Sequence, residues 1–218
     1  MVPKLQLAID SLDSNHALEL ARLTSATVDI IEAGTPLIKS VGMEIVRKLR
    51  AGYPNKLILA DLKSSDVGAY EANMAFEAGA DVVTTQGITT LATIVEVQRE
   101  ADKWKRRAEV DMTGVRDVLT RAREVKARGV SLVLYHRSID EELNEGVLWD
   151  EHAVQEVRSL CEMGLDVAIA GGVTLNVLAL LKGVPLYGIV IGRGITAQPD
   201  PGAAARAVSE RIKEIWPA

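Results

Sequence analysis

Short apolar runs alternate with stretches of helical spacing along the whole of this sequence, and the alternation repeats eight times. The runs fall at 5–10, 28–32, 56–63, 81–85, 108–112, 131–136, 166–170 and 188–192. Helical spacing is expected at 14–24, with Ser14 as N-cap, then at 38–51, 69–78, 89–103, 116–127 and 150–163. A short helix starts near Thr174, and 201–215 closes the pattern. The polar stretch after His136, as far as Gly146, reads as a long loop. Strands that alternate with helices require a parallel sheet with right-handed crossovers. Eight such units close into a (β/α)8 barrel, here near the small end of its size range. A doubly wound open sheet is the rival, but it uses fewer units and a switch point. The expectation is α/β, a single (β/α)8 barrel over 1–218, since no linker or low-complexity segment marks a second domain.

Composition agrees with a buried parallel sheet. Hydrophobic residues make up 48% and aromatics only 4%, so the core must be aliphatic. No apolar run approaches the roughly 20 residues of a membrane span. A net charge of −5 argues against a nucleic-acid face. The basic cluster Lys103-Trp104-Lys105-Arg106-Arg107 reads as a solvated helix end. The lone Cys161 excludes an internal disulfide and reads as a core residue. Met1-Val2-Pro3-Lys4 runs into the first strand with no signal-like segment, so a cytoplasmic location is expected.

In a barrel of this kind the active site lies at the carboxyl ends of the strands. Here those ends read Asp10, Glu32, Asp61 with Lys63, Asp111, His136, Gly171-Gly172 and Gly192-Arg193. Nearly every one can bind, ionise or expose backbone amides, so the rim is the expected site. Its densest part is Ala60-Asp61-Leu62-Lys63-Ser64-Ser65-Asp66. If that strand is regular, Asp61 and Lys63 share a face, and charge at a buried strand end must pair, bind metal or react. Lys63, flanked by Asp61 and Asp66, should stay protonated and donate to a developing anion. Glu32 and Asp61 on neighbouring strands offer two oxygen ligands to Mg²⁺, which keeps several waters. The plain alternative is that both simply pair with Lys63. His136 suits proton delivery or polarisation of a carbonyl. Its neighbour Arg137 should point away unless the loop turns it back. His16 and His152 sit at helix starts and read as surface residues. The glycine turns at Gly171-Gly172 and Gly192, with Arg193, suit a phosphate, so a phosphorylated small molecule is the expected substrate.

These residues resemble the orotidine-5′-phosphate decarboxylase suprafamily, and within it the Mg²⁺-dependent 3-keto-L-gulonate 6-phosphate decarboxylases and 3-hexulose-6-phosphate synthases. The resemblance spans essentially the whole chain. It rests on the stretches 5–10, 29–36, 60–66, 135–138, 170–172 and 191–193, with the D-x-K-x-x-D pattern of Asp61, Lys63 and Asp66 as its most specific part. It implies a homodimer of barrels in which Asp66 reaches the neighbouring subunit's site. It also implies Mg²⁺ on Glu32 and Asp61, with Asp10, Lys63 and Asp111 around the sugar and the phosphate on the two glycine loops. The decarboxylases lose CO₂ from a β-keto acid sugar phosphate to leave a cis-enediolate, protonated with help from the histidine. The synthases form a similar enediolate from D-ribulose 5-phosphate and add it to formaldehyde.

The sequence mixes the two. Tyr135-His136-Arg137-Ser138, Trp149, the segment 181–193 and the closing Ile215-Trp216 look like a decarboxylase. Asp111 and Ala170 are the synthases' choices, and Ile139 stands where the decarboxylases carry a second arginine that orients water for protonation. The synthases in turn lack the arginine of the His-Arg pair. A Mg²⁺-dependent lyase acting through an enediolate is expected, decarboxylation first and the aldol reaction as runner-up. A non-catalytic phosphosugar-binding barrel would have lost the lysine and the metal positions. The metal-free orotidine reaction would have no purpose for the Glu32–Asp61 pair.

Overall fold

Backbone hydrogen bonding passes from strand to strand without a break and returns to its start. In a computed structural model, which describes residues 2–146 and 148–217 and all their side chains but those of residues 142 and 145, the strands are β1 (Lys4–Ile9), β2 (Ile30–Ala33), β3 (Leu57–Ser64), β4 (Val82–Gln86), β5 (Arg107–Asp111), β6 (Leu132–His136), β7 (Asp166–Ala170) and β8 (Gly188–Ile191). All pair in parallel in sequence order, and β8 closes on β1 through partners such as Gln6 and Val190. The fold is a closed (β/α)8 barrel, as the alternation predicts.

The helices are α1 (Ser14–Thr24), α2 (Thr35–Val41), α3 (Glu44–Gly52), α4 (Gly68–Glu77), α5 (Leu91–Trp104), α6 (Val118–Lys126), α7 (Ile139–Glu145), α8 (Glu151–Glu162), α9 (Leu175–Leu180), α10 (Arg193–Thr196) and α11 (Pro201–Ile215). Three details correct the sequence reading. The N-cap of α1 is Asp13, whose carboxylate accepts from the His16 amide at 2.7 Å, and not Ser14. The helix expected at 38–51 is two helices, broken at Gly42 in the left-handed region (φ 70°), with Pro36 in the first turn of the first. The stretch after His136 is not all loop, because Ser138 caps α7 there.

Alternate residues of each strand face outward and join the helices in one large aliphatic core, from Leu5, Leu7 and Ile9 through Ile189 and Ile191. The inward residues stack in layers. Ile30, Leu59, Val82 and Leu132 fill the lower part, while Ala8, Leu134, Ala168, Ala170 and Val190 pack towards the upper part. Between these apolar groups the interior also holds buried Gln6, Glu32, Thr84 and Glu109. Small residues on β1, β7 and β8 leave space above them, opposite the acids of β2, β3 and β5.

The basic cluster 103–107 is more than the expected solvated helix end: three of its cations are paired, and Arg107 already lies in β5. Lys103 pairs with Glu100, Arg107 with Asp166, and Arg106 with Asp81, which also binds Arg50 and caps the Ile58 amide. His16 and His152 are exposed. Cys161 is half-buried against the core, and burial pushes its thiol up to about 11. No helix among the described residues is long and apolar enough to cross a membrane.

Candidate active site

The carboxyl ends of β3, β5 and β6 bring four of the predicted residues into one network. The Lys63 ammonium donates to both oxygens of Asp61, at 3.0 and 2.8 Å, and to Oδ2 of Asp111 at 2.8 Å. The same Asp111 oxygen receives Nδ1 of His136 at 2.9 Å, which leaves Nε2 for another partner. Lys63 does not reach this position by regular strand alternation. The β3–β4 register shifts between Ala60 and Ser64, and Lys63 lies in the left-handed region at φ 48°. A residue with a Cβ is held there at a cost of about 1–3 kcal/mol, and such strain gathers at functional sites. The Lys63 amide donates to Thr84 Oγ1 at 2.9 Å, which pins the distorted segment to β4.

Electrostatics keep Lys63 and Asp111 ionised. Burial opposes the charge on Lys63, but Asp61 and Asp111 outweigh it and push its ammonium well above the ordinary range. Burial likewise raises the Asp111 carboxyl, and the hydrogen bond and charge of His136 with the ammonium of Lys63 overcome it, holding Asp111 well below the usual carboxylate range.

On the other side of the opening lie Asp10 and Glu32. Both carboxyls are raised, first by burial and then by the charge of Asp61. Glu32 is buried and holds a single donor among the described contacts, the Gln6 amide at 2.7 Å. Direct pairing of Glu32 with Lys63, the plain alternative, does not occur among the described contacts, whereas Asp61 does pair with it. Asp10 and Glu32 are therefore oxygen donors held up by burial and by the charge of Asp61, with Lys63 as the ammonium in their field. Among the described residues no three His, Cys, Asp or Glu side chains form a ready metal cage. A hard divalent cation that keeps its waters needs only two carboxylates, and this crowded, under-neutralised oxygen set fits one.

The last two strands supply the glycine loops. Gly171 has φ 82°, and a Cβ there would run into the Arg137 carbonyl, so only glycine lets β7 leave the barrel at this point. The amides of Gly172, Arg193 and Gly194 donate to no backbone carbonyl among the described residues. Gly192 N-caps α10, and the Arg193 charge reaches Asp10. Arg137 packs beside the Gly171-Gly172 loop. Its guanidinium lies 5.7 Å from the Trp149 ring, and it lines a cavity of about 340 Å³ with Trp149, Gly171, Gly172 and Thr174. Trp149 anchors this corner through Nε1, which donates to the Gly171 carbonyl at 2.7 Å.

Asp66 stands apart. It is exposed, and its carboxylate accepts only from the next amide, at 2.8 Å, without joining the Lys63 network among the described contacts. Sequence reasoning passed over the residues that hold the acids: Gln6 under Glu32, Thr35 and Thr84 on Asp61 at 2.6 and 2.7 Å, and Thr113 on Asp111. Gln6 shares the inward face of β1 with Asp10, and Thr84 interrupts an apolar strand, so both carried a signal.

A closed parallel barrel with an acid–lysine–histidine centre at the carboxyl ends of its strands is a (β/α)8-barrel enzyme. The model of the orotidine 5′-phosphate decarboxylase / HUMPS family matches residues 3–208, and the chain belongs to that family. It is 36% identical over 215 residues to the 3-keto-L-gulonate-6-phosphate decarboxylase UlaD of Escherichia coli O139:H28, covering 99% of both chains. A structure of KGPDC from Streptococcus mutans in complex with a phosphorylated sugar superposes with a TM-score of 0.95 at 34% identity, over 99% of this chain and 100% of that one. The 3-hexulose-6-phosphate synthase of Salmonella typhimurium gives 0.90 at 30% identity, over 97% and 99%.

Proposed function

We propose that this chain is a carbon–carbon lyase of ketose phosphates, decarboxylating 3-keto-L-gulonate 6-phosphate to L-xylulose 5-phosphate through a cis-enediolate. The observation that carries the reading is the Lys63 ammonium, fixed among Asp61 and Asp111 with His136 on the same Asp111 oxygen. The amides of Gly172, Arg193 and Gly194, with the guanidinium of Arg193, hold the phosphate. Arg137 borders the same loop, and Asp10 with Asp111 faces the sugar hydroxyls. The bond to the carboxylate then breaks, CO₂ departs, and the electron pair stays on the ketose. Lys63 stabilises that charge with a donor set in place before the reaction. His136, oriented by Asp111, delivers a proton to the carbon that lost CO₂.

Glu32 and Asp61 are the residues that would hold Mg²⁺. When bound, the ion supplies Lewis-acid stabilisation of vicinal substrate oxygens. The neighbourhood of Asp66 supports the homodimer. Val67, Tyr70, Met74 and Ile88 form an exposed apolar surface beside it, of the kind that a second barrel covers while Asp66 enters its site. A cytoplasmic location belongs to the same proposal.

A second reading has its own support. Asp111 and Ala170 fit a hexulose-phosphate synthase, to which the chain is also similar, and a stabilised enediolate serves both reactions. One Mg²⁺-loaded preparation should be assayed for CO₂ release from 3-keto-L-gulonate 6-phosphate beside formaldehyde consumption with D-ribulose 5-phosphate. CO₂ release is expected to dominate. Dominant formaldehyde consumption would reverse the order, and silence in both would reject the two substrates.

A further inference from the structure

One buried acid has no place in this chemistry. Glu109 lies on β5 two residues before Asp111, on the same inward face, and is 1% exposed. Neither of its carboxyl oxygens has a hydrogen-bond partner among the described residues. Its register neighbours explain why. Thr84 on β4 gives its hydroxyl proton to Asp61, and Leu132 on β6 offers none. Arg107, the cation below it on β5, is directed to Ser131 and Asp166 and packs against the Tyr187 ring. Gln6 on β1 is spent on Glu32 of β2. On β3, Lys63 is spent on Asp61 and Asp111, while His136 of β6 holds Asp111 from above.

An ionised Glu109 would thus be an unpaired buried charge, and it would sit in the field of Asp111 and Asp61. We propose that Glu109 is a positioning residue, kept as the neutral acid beneath Asp111, and that its ionisation weakens the grip of Lys63 on anionic substrate and on developing negative charge. The physical reason is a count of charges. With Glu109 neutral, Lys63 is paired directly with the two carboxylates of Asp61 and Asp111; an ionised Glu109 adds one more negative charge to its field, and less of that field remains for the substrate. Burial, then Asp111 and Asp61, push this carboxyl up to about 8, so the change falls just above neutrality. The sign for stability follows. The folded state keeps the Glu109 proton that the unfolded chain releases near 4.5, so this residue lowers stability progressively from about pH 4.5 to about pH 8, with no further loss above.

The test pairs a direct titration with kinetics. In the whole protein carrying ¹³C-carboxyl glutamate, one resonance that Glu109→Gln removes should remain protonated at pH 7 and titrate near 8; Glu109→Met assigns the same resonance if the first variant fails to fold. The kinetic arm rests on the lyase reading. The kcat/KM of the wild type should fall about tenfold between pH 7 and pH 9, and the ratio of the two values should approach one in Glu109→Gln. A Glu109 resonance already ionised at pH 7 overturns the proposal. So does a protonated one combined with an alkaline limb that Glu109→Gln leaves in place. Absence of turnover on every ketose phosphate would instead sink the lyase reading, and the titration would still report on Glu109.

Discussion

Among the described residues the ammonium of Lys63 is the one permanent cation of its network, and both acids that hold it are buried. On the proposed mechanism, Lys63→Ala removes the donor that meets the departing electron pair. CO₂ release is expected to fall by about a hundred- to a thousandfold, as when a pre-positioned donor of this kind is lost. Binding of inorganic phosphate at the glycine loops should survive, and calorimetric titration separates the two outcomes. Unchanged turnover would remove Lys63 from the mechanism. Glu32→Gln tests the other side of the opening. It keeps the shape and the Gln6 neighbour but removes one hard oxygen charge, so the Mg²⁺ concentration for half-maximal activity should rise by at least about tenfold. Superimposable metal titrations would take Glu32 out of the ligand set. These residues were legible because acids and a lysine at apolar strand ends need a reason. Glu109 was not, since a single Glu inside Ala108-Glu109-Val110 looks like any solvent-facing strand position until the closed barrel buries it.

Elements were legible where their signal is local. The apolar runs place all eight strands to within a residue or two, because burial on both faces leaves a continuous run. The division of 38–51 was hidden because apolar positions continue at helical spacing across Gly42, and a single glycine does not by itself end a helix. Helix α7 was hidden because Ile139-Asp140-Glu141 begins a nearly all-polar segment that shows no buried stripe. The left-handed Lys63 has no sequence mark at all; the register shift that creates it arises from pairing with β4. One element-scale consequence concerns Trp149, just before α8, whose indole holds the carbonyl of Gly171. Trp149→Phe keeps the ring beside Tyr135 and Arg137 and deletes that hydrogen bond. The expected result is a KM raised about fivefold, equivalent to a lost bond of about 1 kcal/mol, with kcat changed less. An equal loss in both constants would mean that the loop acts in the chemical step.

For the whole molecule, the eightfold alternation was enough to close the barrel, while the assembly has no comparable signature in a single chain. Asp66 and the apolar side chains beside it supply a way to test it. If Asp66 completes the partner's site, mixing Lys63→Ala with Asp66→Ala subunits rebuilds one intact site in each hybrid dimer. Two inactive preparations should then regain roughly a quarter of wild-type activity after random re-pairing. No recovery, with hybrids verified by mass, would place Asp66 in its own subunit's site or outside catalysis.

The pairing of β8 with β1 also bears on how the chain is made. Of the eight barrel strands β1 is made first and must wait for β8, so while the barrel is being synthesised β1 offers an open edge to any extended chain nearby. Its guard is time and company: β2 can pair with it early, but the opposite side stays bare until residue 191 has emerged. A permuted chain that begins at α1 and ends on β1 would not remove the bare edge but pass it to β2, whose β1 side would stay unpaired until the last strand emerged.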